Sequence, residues 1–204
     1  MRNLFWICLL VCFAACSEGK RPLAGETEYQ KKLNSLYKDA STSPLKKKDL
    51  KDFRGLDFYP VDSAFVVTAK LERTPDAPIF KFPRTLGDKV DYLQYGILTF
   101  NIKGKELQVP LYRSIDDLRS IKNRDQLFLP FTDETSGDGS YGGGRYLNLF
   151  ESKIRPDNTL VLDFNNTYNP YCAYNENYSC PIVPRKNYLD VAITAGVKDF
   201  KKAE

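Results

Sequence analysis

From Phe58 onward the apolar residues recur at every second position. Phe65, Val67, Ala69 and Leu71 alternate with Val66, Thr68 and Lys70, the period of a half-buried strand. Thr74-Pro75-Asp76-Ala77-Pro78 ends that strand with turn chemistry. Residues 90–102 and 106–113 predict two more strands joined across Lys103-Gly104, a hairpin signal. Strands are further predicted at 126–131, 145–150, 159–164 and 188–194, with Pro156-Asp157-Asn158 turning between two of them. Nearer the start the period is helical. Tyr29, Leu33, Leu36 and Tyr37 fall at i, i+4, i+7 and i+8 within residues 26–38. Ser43-Pro44 supplies an N-cap and a first-turn proline for a short second helix that Gly55 stops. Ser114 caps a third through Ile115, Leu118 and Ile121. The pattern predicts one mainly β domain, an antiparallel barrel or sandwich with short N-terminal helices.

The first residues break both periods. Met-Arg-Asn precedes an apolar run from Leu4 to Phe13, then Ala14-Ala15-Cys16. A basic start, an apolar core of about ten residues and small residues before a cut make a secretory signal. The run is shorter than the roughly 20 apolar residues that span a bilayer. Ala-Ala-Cys reads as a lipobox, with Phe13 where an aliphatic residue is usual and Cys16 as the lipidated first residue of the mature chain. The expected organisation is therefore a signal peptide at 1–15, a polar tether at 16–25 and one β-rich domain at 26–204. The expected address is the cell envelope, held to the membrane through the lipid on Cys16.

Composition narrows the chemistry further. There is no histidine, which excludes Ser-His-Asp and Cys-His nucleophilic sites and any His-ligated zinc or haem. A net charge of +4 is too mild and dispersed to predict nucleic acid as a partner. Lys46-Lys47-Lys48 reads as a solvated helix face. No metal site and no cofactor is predicted. Asp133, Glu134 and Asp138 lie in an acidic loop, but Gly137 falls where an EF-hand-like loop needs an oxygen ligand, so turns of the Asx type are expected.

The richest stretch in polar chemistry runs from 128 to 188. Gly142-Gly143-Gly144 would let backbone N–H groups approach a ligand, and Arg145 presents a planar fork for a carboxylate or phosphate. The alternative is a tight turn, with Arg145 in a structural ion pair to an acid such as Asp163. Asp133, Tyr141, Asp163, Asn165, Tyr168 and Asn169 complete the candidate ligand-binding set. Tyr168, Tyr171, Tyr174 and Tyr178 would either stack on a ligand or fold a long loop onto the domain. Cys172 and Cys180 are expected to form a disulfide in an oxidising compartment, worth about 2.5 kcal/mol in the chain-entropy model.

Several of these segments carry a family resemblance over roughly residues 45–200. They are Phe53-Arg54-Gly55-Leu56-Asp57-Phe58-Tyr59-Pro60, Leu129-Pro130-Phe131-Thr132-Asp133 and Tyr141-Gly142-Gly143-Gly144-Arg145-Tyr146. Asp163-Phe164-Asn165, Asn169-Pro170-Tyr171-Cys172-Ala173-Tyr174, Cys180-Pro181 and Ala195-Gly196 continue the series. Together they resemble the bacterial family called domain of unknown function 1684, here in a shorter, lipoprotein-type form. Pro181-Ile182-Val183-Pro184 and Gly196-Val197-Lys198 depart from its usual pattern. The resemblance implies a fold and no activity. The expectation is thus an envelope lipoprotein that binds a small polar or anionic ligand. Its rivals are a His-independent, hydrolase-like enzyme using Tyr141 or Asp163 with Arg145, and a structural envelope protein.

Overall fold

A computed structural model describes residues 27–201. The leader, Cys16 and the tether lie outside the described residues. Eight strands form one sheet: β1 (Val66–Arg73), β2 (Phe80–Pro83), β3 (Lys89–Ile102), β4 (Lys105–Ser114), β5 (Gln126–Asp133), β6 (Arg145–Phe150), β7 (Thr159–Asp163) and β8 (Tyr188–Leu189). The strand order is β6-β5-β4-β3-β1-β7 and is antiparallel throughout. β2 pairs with β3, and β8 joins β5 in parallel. The sheet curls into a half-barrel, so the fold is mainly antiparallel β, open along one seam.

The alternation read from the sequence accounts for the packing. Ala69, Leu71, Leu98, Val109, Leu111, Leu127, Leu129, Leu147 and Leu160 point inward and form the main core with Phe131 and Phe164. On the other face Phe82, Tyr92, Tyr112, Phe128 and Tyr146 make an aromatic cluster. Lys103 and Gly104 both have positive φ (52° and 81°), the backbone of a two-residue hairpin turn that matches strand twist. Within β3 the register to β4 shifts between Gln94 and Gly96, a bulge centred on Tyr95.

Three helices decorate the sheet: α1 (Glu28–Lys38), α2 (Lys47–Asp52) and α3 (Ile115–Arg119). Thr27 starts α1 with a reciprocal capping box to Gln30. The apolar stripe predicted for α1 is fully buried only at Tyr37, and Leu33 and Leu36 pack against the same small core. Gln30, Asn34 and Tyr37 are buried, with Asn34 Oδ1 accepting the Leu56 N–H at 2.8 Å, whereas Tyr29, Leu33 and Leu36 stay half-buried. α2 begins at Lys47 with no side-chain cap, so Ser43-Pro44 precedes the helix instead of opening it.

Two strand predictions need correction. β2 was not anticipated, because its four residues lie between prolines and draw their order from β3. The strand expected over 188–194 ends at Leu189. Beyond it, the carbonyls of Ile193, Ala195 and Val197 turn towards a single buried guanidinium.

Candidate functional site

That guanidinium belongs to Arg145, the first residue of β6, whose side chain is fully buried. Nη1 donates to Ala195 O at 2.6 Å and Val197 O at 3.2 Å. Nη2 donates to Ile193 O at 2.8 Å and to Asp133 Oδ2 at 2.7 Å. Asp133 Oδ1 in turn accepts both the N–H and the hydroxyl of Thr135, each at 2.6 Å, closing an Asx-type turn. Phe131 and Tyr59 rings flank the guanidinium. Nothing from solvent reaches this group. The anion-anchoring role expected of Arg145 and Asp133 is therefore corrected: they form a buried structural pair, and the acid partner is Asp133, not Asp163.

The three glycines before it form the turn that lets β6 begin there. Gly144 has φ of +88°, and its N–H donates to Tyr141 O at 2.9 Å. A Cβ at Gly144 would sit 2.5 Å from Phe131 O, and one at Gly143 would meet the Tyr141 ring at 2.5 Å. These close approaches explain glycine at 143 and 144, and Gly142 lies exposed on the turn. Asn165 is buried and pins the backbone of Asp62 through both its amide atoms. Asn169 is buried and donates to Lys198 O at 2.9 Å. Both asparagines hold chain segments together.

Asp163 and Tyr168 are placed differently, because each lines a cavity. Asp163 Oδ1 accepts from Asn165 Nδ2 at 2.9 Å and Oδ2 from Asn166 Nδ2 at 3.0 Å. The Tyr168 hydroxyl donates to Asn148 Oδ1 at 2.8 Å. Between them runs a groove at the open seam of the half-barrel. Its larger part, about 460 Å³, is walled by β6 (Leu147 to Phe150), by β7 (Leu160, Val161, Asp163) and by α1 (Tyr29, Lys32, Leu33, Leu36), with Lys153 and Asn166 at the rim. Tyr29, Leu33 and Asn148 also line a second part, about 340 Å³, that continues past Tyr146, Tyr168 and Pro170 to Tyr171 and Cys180. The seam exists because β6 and β7 are the two ends of the strand order and do not pair. α1 roofs it with Tyr29, Leu33 and Leu36 of its apolar stripe.

Two lysines overlook this apolar floor. Lys32 and Lys153 are exposed, and neither lies within ion-pair distance of a carboxylate among the described residues. Sequence reasoning missed them, together with Asn148. Their juxtaposition joins segments more than a hundred residues apart, and no local motif announces it. The polar residue Asn148 between Leu147 and Leu149 is the one trace visible in the sequence.

At the far end of the groove Cys180 lines the wall, with Cys172 of the same long loop beside it. The expected disulfide is not formed: both are free thiols, Cys172 half-buried and Cys180 buried. The Cys172 N–H donates to Cys180 Sγ at 3.2 Å. Cys180 is held from the opposite side by the β2–β3 turn, where Thr85 N–H donates to Cys180 O and Cys180 N–H to Thr85 Oγ1, both at 3.0 Å. The Cys172 thiol is drawn down to about 7, chiefly by the neighbouring Cys180 thiol, with the Tyr141 hydroxyl acting in the same direction. The Cys180 thiol is pushed up by the same pairing and by burial. Burial and the neighbouring Cys172 push the Tyr141 hydroxyl up to about 12, so it keeps its proton at neutral pH. The loop tyrosines pack on the fold. Tyr174 stacks edge-on against Tyr37 at 4.8 Å, and Tyr171 against Tyr178 at 5.3 Å.

The sequence model for proteins of unknown function DUF1684 matches residues 51–198. The chain belongs to the DUF1684 family. The chain is also similar to a solved structure, the solution NMR structure of an uncharacterised protein from Haloarcula marismortui. It is 30% identical, superposes with a TM-score of 0.65, and the alignment covers 83% of this chain and 89% of that one. No curated protein matches the chain. The DUF1684 match begins at residue 51, so it includes β6, β7 and both thiols, while α1, the roof of the groove, precedes it.

Proposed function

We propose that this protein is an envelope lipoprotein that binds a single-chain amphiphilic anion in the groove beneath α1. The observation that carries the reading is the open seam itself: an apolar floor between two unpaired strands, overlooked by two lysines with no carboxylate partner among the described residues. Aliphatic walls would take an alkyl or acyl chain. The lysine ammoniums would take a carboxylate or phosphate head, and Asn148 or Asn166 would orient it. A volume of about 460 Å³ is within the usual range for a small-molecule site. The anionic ligand expected from the sequence is kept, but its anchor moves from Arg145 to Lys32 and Lys153.

Displacement of a fluorescent fatty acid by dodecanoate and by dodecyl phosphate tests this reading. Both are expected to compete, whereas dodecanol, acetate and inorganic phosphate compete weakly. Lys32→Glu and Lys153→Glu should each weaken binding roughly tenfold, about 1.4 kcal/mol. Equal affinity in wild type and the double variant would refute the site.

The membrane anchor rests on the leader sequence alone. Labelling with a radioactive fatty acid in cells is expected to tag the protein at Cys16, and Cys16→Ser should move it from the membrane to the soluble fraction. An unlabelled, soluble wild-type protein would reject the anchor and leave the groove reading standing.

A further inference from the structure

Cys172 and Cys180 have no part in the groove chemistry proposed above, yet they are arranged as a reactive pair. Cys172 sits in a 3-10 turn (Tyr171–Ala173) on a loop held by its tyrosines. Cys180 sits on a segment fixed to the β2–β3 turn by Thr85, and by hydrogen bonds from the Ile182 N–H to Pro83 O and from Arg84 to Ser179 O. Two independently anchored segments thus bring the two cysteines together, with the Cys172 N–H donating to Cys180 Sγ at 3.2 Å.

The surroundings assign the two sulfurs different roles. Thr85 Oγ1 accepts the Cys180 N–H at 3.0 Å and donates to Tyr178 O at 3.3 Å, so it fixes the segment that carries Cys180. Beside the Cys172 sulfur stand the Tyr141 hydroxyl and the Cys180 thiol, which favour its thiolate. Cys180 keeps its proton and is buried, a poor first nucleophile placed to attack second. The groups facing the pair are Arg84 from the β2–β3 turn, Tyr141 from the turn before β6, Tyr146 from β6 itself, Tyr171 from the loop, and Asp199 near Tyr141.

We propose that Cys172 and Cys180 form a peroxide-reactive dithiol, with Cys172 as the attacking thiol and Cys180 as the resolving thiol. Half-burial beside Tyr141 admits a small hydroperoxide more readily than a protein disulfide, which needs a bulky in-line approach. The Cys172 sulfur, as thiolate, attacks the terminal peroxide oxygen. The O–O bond breaks, and the departing alkoxide (hydroxide for hydrogen peroxide) takes up the proton that Cys172 released. Cys172 is left as a sulfenic acid. The Cys180 sulfur then attacks the Cys172 sulfur, the S–O bond breaks and water leaves. The net reaction oxidises two thiols to one disulfide while the hydroperoxide becomes alcohol and water. An external dithiol would restore the pair.

The test uses the full chain and hydrogen peroxide, read by mass spectrometry on the peptides that carry Cys172 and Cys180, so that leader cysteines do not interfere. Wild type is expected to form the 172–180 disulfide within the monomer. Cys180→Ser should accumulate a dimedone-trappable sulfenic acid at Cys172, whereas Cys172→Ser leaves Cys180 unreacted. A thiolate populated near pH 7 should by itself react roughly tenfold faster than free cysteine. Alkylation of Cys172 should rise with pH through about 7 and shift upward in Tyr141→Phe. A peroxide rate at Cys172 equal to that of free cysteine, or disulfides formed only between molecules, would overturn the proposal.

Discussion

Arg145→Ala is expected to destabilise the fold by about 3–5 kcal/mol, as removing one partner of a buried ion pair does. The mechanism has two parts. Asp133 keeps a carboxylate buried without its countercharge. The carbonyls of Ile193, Ala195 and Val197 lose the donors that hold their segment against β6. Urea unfolding followed by circular dichroism measures this directly. Replacing both partners, Arg145→Met with Asp133→Leu, should recover only part of the loss, because the three carbonyls remain unsatisfied. A well-folded Arg145→Ala protein with an unchanged midpoint would contradict the structural assignment.

Gly144→Ala should destabilise the fold by about 2–5 kcal/mol. A left-handed backbone costs an L-residue about 1–2 kcal/mol. Overpacking adds about 1–3 kcal/mol more. The new methyl group would meet Phe131 O at 2.5 Å, Val183 at 2.7 Å and Thr132 at 2.9 Å, and a backbone oxygen inside a strand cannot step aside. Gly87→Ala is the matched control: its φ is +87° with nothing within 4 Å, so it carries the conformational cost without the clash. The difference in thermal midpoint between the two variants isolates the packing contribution.

The sequence was informative where one residue's environment follows from its neighbours along the chain. Alternation in 66–71, 90–102 and 106–113 and the Lys103-Gly104 turn led to the right strands and the right pairing of β3 with β4. It misled where burial depends on distant segments. Arg145 beside three glycines has the spacing of an anion site, and spacing does not record that Asp133 and the 193–197 carbonyls enclose the side chain. Tyr29, Leu33 and Leu36 have the period of a core-facing helix, but the surface they cover is a seam left by two strands that do not meet. Cys172 and Cys180 were correctly paired in space, while the oxidation state expected of them was not the one observed.

The enclosure of Arg145 also sets the order in which the molecule can be completed during synthesis. β6 begins at Arg145, yet three of the groups that neutralise and hydrogen-bond its side chain are at residues 193, 195 and 197, about fifty positions later. While the ribosome still covers that segment, a nascent chain that docked β6 would bury a cation with too few acceptors, so the half-barrel stays unfinished at its β6 edge. Completion therefore waits until nearly the whole described chain has emerged. A polypeptide with this wiring remains threadable until late, and truncation before residue 193 should leave an aggregation-prone intermediate with an exposed strand edge instead of a smaller stable domain.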